Sequence, residues 1–373
     1  MLSLVYKLRK SLMRKLLQKL FGGWIIRMSN KFGSRPDGER IHDALTKLYN
    51  NITTKPGKRG EVFLVKPDDK FIILSDQHKG ARDFADDFAL SEKNYLQALA
   101  FYNEENFNYI NLGDSEELWE NLLESVIRDN KATFEAERLF IKRKAFTKIF
   151  GNHDLYWDND PLSQLNLKRI YDEVIRIYEG AILRFSFNGE QLDVFLTHGH
   201  QGDLQSDGNW FSKWFVSTIW APIQAYLQIN PNTPAYSNQL KTVHNALMYS
   251  WVQKQNNIAL ITGHTHQPVF ASLTHLERLY AKRSKASAEG DEQTVNSITR
   301  ELNKLAAKGE EPPMFNKYKS GYFNSGCCCF NDGDITGIEI ESGCIRLVKW
   351  SYQKTDLPQR IILEEMMIKN LLD

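Results

Sequence analysis

Cysteine is scarce in this chain. There are four in 373 residues, and three of them, Cys327, Cys328 and Cys329, are consecutive, with Cys344 apart. That arrangement excludes a disulfide framework and any structural-zinc spacing. The plain reading is small buried thiols in a reducing, cytoplasmic compartment. Long apolar runs are missing too: none nears the ~20 residues that a membrane-spanning helix needs. Net charge is close to absent, at +1, so no overall field selects nucleic acid as a partner. We find no internal repeat and no low-complexity tract. What is there is 42% hydrophobic and 25% charged, an ordinary globular composition. The length suits one large domain with insertions, or two domains, and allows a substantial core.

Acids are absent from residues 1–31, which carry eight bases: Lys7, Arg9, Lys10, Arg14, Lys15, Lys19, Arg27 and Lys31. Against a net +1, this leaves the remainder of the chain at −7. Leu4, Leu8, Leu12, Leu16, Leu20 and Trp24 recur four apart, with Lys and Arg on the other face. The spacing predicts a basic amphipathic helix over residues 1–30, broken near Gly22-Gly23. Three readings compete. Residues 1–28 lie on an anionic membrane, peripheral on its inner face with Trp24 near the headgroups. They pack on their own domain or a partner chain. Or they form a mitochondrial transit peptide.

Beyond a polar stretch from Asn30 to Arg59, short apolar runs alternate with helical patterns. The runs are 61–65, 71–74, 109–112, 146–150, 192–197 and 258–262. This predicts an α/β domain over 60–353 whose strands feed functional loops. Helices are expected over 86–107 and within 116–145. Two insertions stand out: an aromatic one over 204–257, and a charged helical hairpin over 275–311 whose default reading is a solvated arm. Strands return with "GYFNSGCCCF", "DITGIEIE" and "CIRLVKWSY", turned at Asn331-Asp332-Gly333 and Ser342-Gly343. Residues 354–373 read as a tail.

Several apolar runs end in metal-ligating side chains. "IILSDQHKG" gives Asp76 and His78; "INLGDSEELWE" gives Asp114, with Glu116 and Glu117 behind it. "IFGNHD" gives Asn152, His153 and Asp154; "FLTHGHQGD" gives His198 and His200; "LITGHTHQP" gives His264 and His266. Six of the nine histidines sit in these motifs. In extended backbone, residues i and i+2 project to one side, so each such pair aims two ligands at one place. Adjacent Asn152 and His153 diverge, leaving one for metal and one for substrate. Gly113, Gly151 and Gly263 allow close backbone approach. Carboxylate, amide and imidazole donors suit Mn²⁺, Fe²⁺/³⁺ or Zn²⁺, and the lack of thiolate argues against a structural zinc knot.

The ordered set D-x-H, G-D, G-N-H-D, H-G-H and G-H-T-H resembles the calcineurin-like metallophosphoesterases over roughly residues 71–350. The resemblance implies a two-sheet β-sandwich flanked by helices, presenting its loops around two divalent metal ions. By motif it implies that Asp76, His78 and His266 bind the first metal. Asp114 bridges both, and Asn152, His198 and His264 bind the second. His153 acts as general acid or transition-state stabiliser, and His200 is not counted as a ligand. Glu116 and Glu117 depart from the G-D-x-x-D form and read as outer or solvated groups. The implied reaction is in-line attack of a metal-activated water on the phosphorus of a phosphoester substrate.

The aromatic insertion bears on the substrate. It falls where the related UDP-diacylglucosamine hydrolases of lipid A synthesis carry a helical lid for acyl chains. Trp210, Phe211, Trp214, Phe215, Ile219 and Trp220 are placed to line an apolar groove or to pack the insertion onto the body. With the basic arm, this favours an amphiphilic or lipid-linked phosphoester at a membrane. Those hydrolases typically carry Arg where this chain has His153. Lys79 and Arg82 are candidate phosphate contacts, or a solvated pair. The alternatives are a soluble nucleotide or protein phosphatase and, in a different class, a non-catalytic scaffold. A nuclease is disfavoured, because no basic stripe lies outside the arm.

Overall fold

The computed structural model describes residues 37–82, 86–119, 121–202, 238–306, 319–352 and 357–372. The arm over 1–30, Trp210, Trp214 and most of the aromatic insertion lie outside the described residues. The strands are β1 (Gly60–Leu64), β2 (Phe71–Leu74), β3 (Asn108–Leu112), β4 (Phe146–Ile149), β5 (Ile177–Tyr178), β6 (Gly180–Phe187) and β7 (Glu190–Thr197). They continue with β8 (Ile258–Thr262), β9 (Val269–Phe270), β10 (Leu273–Thr274), β11 (Tyr322–Asn324), β12 (Ile335–Glu341), β13 (Cys344–Ser351) and β14 (Gln359–Met367). The helices are α1 (Gly38–Thr54), α2 (Glu92–Glu104), α3 (Leu123–Asp129), α4 (Lys131–Lys142), α5 (Tyr156–Asn159), α6 (Ser163–Tyr171), α7 (Asn238–Val252), α8 (His275–Ala288) and α9 (Glu292–Ala306).

The strands build two mixed seven-stranded sheets, β1-β6-β7-β8-β11-β9-β10 and β14-β13-β12-β2-β3-β4-β5. The α/β sandwich expected from the sequence is the fold observed. The run "FIIL" is apolar throughout because β2 is buried on both faces. Phe71 and Ile73 enter the core between the sheets, while Ile72 and Leu74 face Tyr95, Leu99 and Phe140 on the helical side. β8 divides in the same way: Ala259 and Ile261 point between the sheets, and Leu260 points to the helical layer with Trp251. The layer order is therefore helices, sheet, sheet, helices.

Two parallel ladders position the site. β2, β3 and β4 run parallel in one sheet, and β7, β8 and β11 run parallel in the other. The loops that follow them meet at one end of the sandwich.

Three expectations are corrected. The polar stretch before residue 60 contains α1, capped by the Asp37 carboxylate accepting from Arg40 N at 3.1 Å. Its buried residues, Ile41, Leu45, Leu48 and Ile52, form one narrow stripe that polar neighbours hide in sequence. The tail over 354–373 supplies β14, paired along β13, and Ile368 and Leu371 are buried between the sheets. The charged hairpin forms as α8 and α9, packed through Leu279, Ile298 and Leu302. It is no free arm: Arg278 and Lys282 bind Glu364 of β14 at 3.2 and 2.6 Å.

Candidate metal centre

The loop after β2 is zipped to the loop after β3. Asp76 N donates to Gly113 O, His78 N to Asp114 O and Lys79 N to Ser115 O, each at 3.0 Å. The loop after β8 closes on the same point, with His264 N donating to the Asp76 carboxylate at 3.0 and 3.1 Å. The backbone here is not extended. Asp76, His78, Asp114, His264 and His266 have φ of 53°, 49°, 51°, 69° and 55°. The alternation argument for the i, i+2 pairs is thus replaced by left-handed turns, a region in which Asp and His are enriched among non-glycine residues. Such residues cost on the order of 1–3 kcal/mol each and persist where surrounding bonds over-determine them. Two glycines are forced. A Cβ at Gly151 would collide with the Asp114 carboxylate, and one at Gly263 with the Asp76 carboxylate and Ser75.

These turns bring Asp76, His78, Asp114, His264 and His266 to one cluster with His198, and Asn152 is buried beside it, next to His153, whose backbone N reaches Asp114. Asp76 Oδ1 lies 3.2 Å from His266 Nε2, and His78 Nε2 lies 3.1 Å from His266 Nε2. Asp114 Oδ2 lies 3.0 Å from His198 Nε2 and 3.8 Å from His78 Nε2. Of four groups among the described residues with ligand atoms within 4.8 Å of one another, two triads are built on the expected ligands alone and contain a carboxylate: Asp76, His78 and Asp114, and Asp114, His198 and His264. Asp114 belongs to both. The donor set fits two divalent ions on two further observations. Asn152 Oδ1 is buried with no hydrogen-bond partner among the described residues. His78 and His266 aim ring nitrogens at each other beside two carboxylates, an arrangement that a shared cation satisfies.

The electrostatics favour the ligand form of the two carboxylates and of His264, whereas His78, His198 and His266 are pushed up and hold protons that a metal would displace. Burial opposes charge on Asp76 and Asp114. The imidazoles of His266 and His198 for the first, and of His198 and His153 for the second, outweigh it and hold both carboxyls well below the usual range. Burial, with His244 and His198 nearby, holds His264 well below its usual value, so its ring is neutral with a lone pair available. For His198, burial is outweighed by Asp114 and Asp76, which lift it to about 9.

His153 stands at the rim. Its backbone N donates to Asp114 Oδ1 at 2.8 Å, its ring meets His78 edge-on with centroids 4.6 Å apart, and Trp119 stacks on it at 4.3 Å. Glu117 grips both rings, with Oε1 2.9 Å from His153 Nδ1 and Oε2 2.8 Å from His78 Nδ1. Burial opposes its charge, but His153 and His78 hold it at about 2. An anionic Glu117 accepts from both Nδ1 positions, which leaves each Nε2 for a ligand or substrate. The sequence reading left Glu117 undecided and missed Trp119, whose one signal was a large aromatic in the polar loop "SEELWE". His200 is buried beside the cluster, its ring 5.5 Å from that of His198.

Lys79 and Arg82 do not face the cluster. Lys79 is fully buried, with Nζ 2.7 Å from Glu137 Oε1 and 3.3 Å from Glu116 Oε1. Glu116 also accepts from Lys148 Nζ at 2.9 Å and Trp157 Nε1 at 2.7 Å, so it too is a structural group. Arg82 is held by Glu92 and by Asp129 O. The two are therefore no solvated pair: Lys79 is enclosed by carboxylates, and Arg82 is engaged by Glu92 and Asp129. Lys79→Met should lower stability by about 3–5 kcal/mol in denaturant titration, because it strands buried carboxylates. An unchanged midpoint would contradict this placement.

The profile of the calcineurin-like phosphoesterase family matches residues 69–268, more than half of the chain. No curated protein matches in sequence. Among solved structures, vacuolar protein sorting 29 from Cryptosporidium parvum is similar at 13% identity and a TM-score of 0.31, covering 80% of this chain and 98% of that one. A dimetal phosphatase from Danio rerio is similar at 12% identity and a TM-score of 0.29, covering 80% of this chain and 100% of that one. The fold, the five loops and the family match agree: the chain belongs to the calcineurin-like phosphoesterase family, metal-dependent hydrolases of phosphoric esters.

Proposed function

We propose that this phosphoesterase is dinuclear and hydrolyses an amphiphilic or lipid-linked phosphoester at an anionic membrane surface. The observation that carries the dinuclear reading is Asp114, shared by both triads. Asp76, His78 and His266 would hold one ion, Asn152, His198 and His264 the other, and Asp114 both. Two divalent ions there would supply a water-derived nucleophile near neutral pH and neutralise phosphoryl oxygens. Glu117 holds the His153 ring by Nδ1, so that Nε2 is the atom placed to deliver a proton to the leaving oxygen.

The amphiphilic substrate is supported by where the aromatic segment joins the body. It leaves two residues past His200 and returns on α7. There His244 Nε2 lies 2.7 Å from Gly199 O, and the His244 ring lies 5.1 Å from that of His264. Gly199 and His244, which flank in sequence the segment carrying Trp210 and Trp214, therefore stand beside the ligands. The basic arm adds the surface contact, and no helix among the described residues is long and apolar enough to cross a membrane. Co-sedimentation with phosphatidylserine vesicles tests this. The full chain should pellet and a chain lacking residues 1–28 should not. Identical pelleting of both would overturn the membrane reading and favour a soluble nucleotide or protein phosphatase.

A further inference from the structure

We propose that Cys329 is a thiolate ligand of the first metal, alongside Asp76, His78 and His266; this rests on the dinuclear reading above. The loop after β11 carries the three consecutive cysteines against the Asp76 loop. Cys328 N donates to Asp76 O at 3.1 Å, Thr336 N to Cys327 O at 3.0 Å, and the Ser75 and Ser325 hydroxyls meet at 2.7 Å. The run is therefore pinned: the Cys327 thiol meets both Cys329 and His266, while Cys328 turns away from them. Cys328 turns into the apolar layer with Ile72 and Leu74, its Sγ 3.9 Å from Thr336 O. Cys329 turns toward the ligands. Its Sγ lies 3.8 Å from His266 Nδ1, and Cys329, His78 and His266 have ligand atoms within 4.8 Å of one another.

His78 belongs both to this group and to the triad with Asp76 and Asp114, so the sulfur extends the first metal's donors rather than making a separate site. Coordination would displace the thiol proton to solvent. The sequence motifs contain no thiolate, because the sulfur arrives from a loop more than sixty residues beyond His266. A soft ligand at this position selects Zn²⁺ or Fe²⁺ over Mn²⁺ and Mg²⁺.

Cobalt loading of the full chain tests this. Wild type should bind two Co²⁺ and show a near-ultraviolet sulfur-to-cobalt charge-transfer band. Cys329→Ser should lose the band, while Cys327→Ser and Cys328→Ser keep it. A band that is absent with two Co²⁺ bound, that survives Cys329→Ser, or that is lost in Cys327→Ser instead, overturns the assignment and leaves Cys329 a neighbour of His266 only. Cadmium-113 NMR of the wild-type chain is independent of how the variants fold. One of two resonances should lie far downfield, in the thiolate range, and two in the nitrogen/oxygen range would overturn the proposal. Failure to bind two Co²⁺ would overturn the dinuclear reading itself, and the proposal with it.

Discussion

Asp114→Asn should reduce bound transition metal from two ions to one or none and lower kcat/KM by roughly 10³-fold or more. The magnitude follows from the chemistry: metal polarisation is worth several kcal/mol, and each 1.36 kcal/mol is about tenfold in rate. Asp114 is singled out because its carboxylate faces His198 and His78 and accepts from His153 N, so one substitution touches both triads and the rim. The amide is nearly isosteric, so circular dichroism should show the fold retained. Elemental analysis and steady-state kinetics on one preparation check the result. A variant that keeps two ions and works within tenfold of wild type would remove Asp114 from its shared position.

His153→Ala should show the opposite split. Metal content should stay at two, while kcat falls by roughly 10²–10⁴-fold, the range for loss of a positioned general acid. The loss should depend on the leaving group. A p-nitrophenyl ester, whose phenolate leaves without protonation, should suffer less than an alkyl ester. His153 is suited to this role because Glu117 and Trp119 fix its ring while it contributes only its backbone N to the Asp114 carboxylate. Equal losses on both esters would assign His153 to phosphate binding instead of proton delivery.

Much of the candidate site was legible in sequence because side chains suited to metal ligation are of few types. Asp, Asn and His at the ends of apolar runs keep their meaning without knowledge of the turns between them. The strands were legible for a similar reason: burial on both faces of β2 and β8 demands an unbroken apolar run. What escaped depends on distant partners. Lys79 reads as a surface base until Glu137, fifty-eight residues on, is seen to enclose it. Glu117 gains its meaning only when His78 and His153 converge on one carboxylate. The left-handed φ of Asp76 and His78 is set by bonds to the loops after β3 and β8, which local spacing does not contain. β14 escaped because most of its residues are half-exposed or exposed, and α1 because one narrow apolar stripe is diluted by polar neighbours.

The most direct test of the account is anomalous diffraction from crystals of the chain reconstituted with Zn²⁺ or Fe²⁺. The account predicts two peaks about 3.5–4 Å apart, the spacing of two-metal hydrolases. Asp114 should lie between them, with His266 on one and His264 on the other. A single peak, or two peaks that Asp114 does not join, would contradict it.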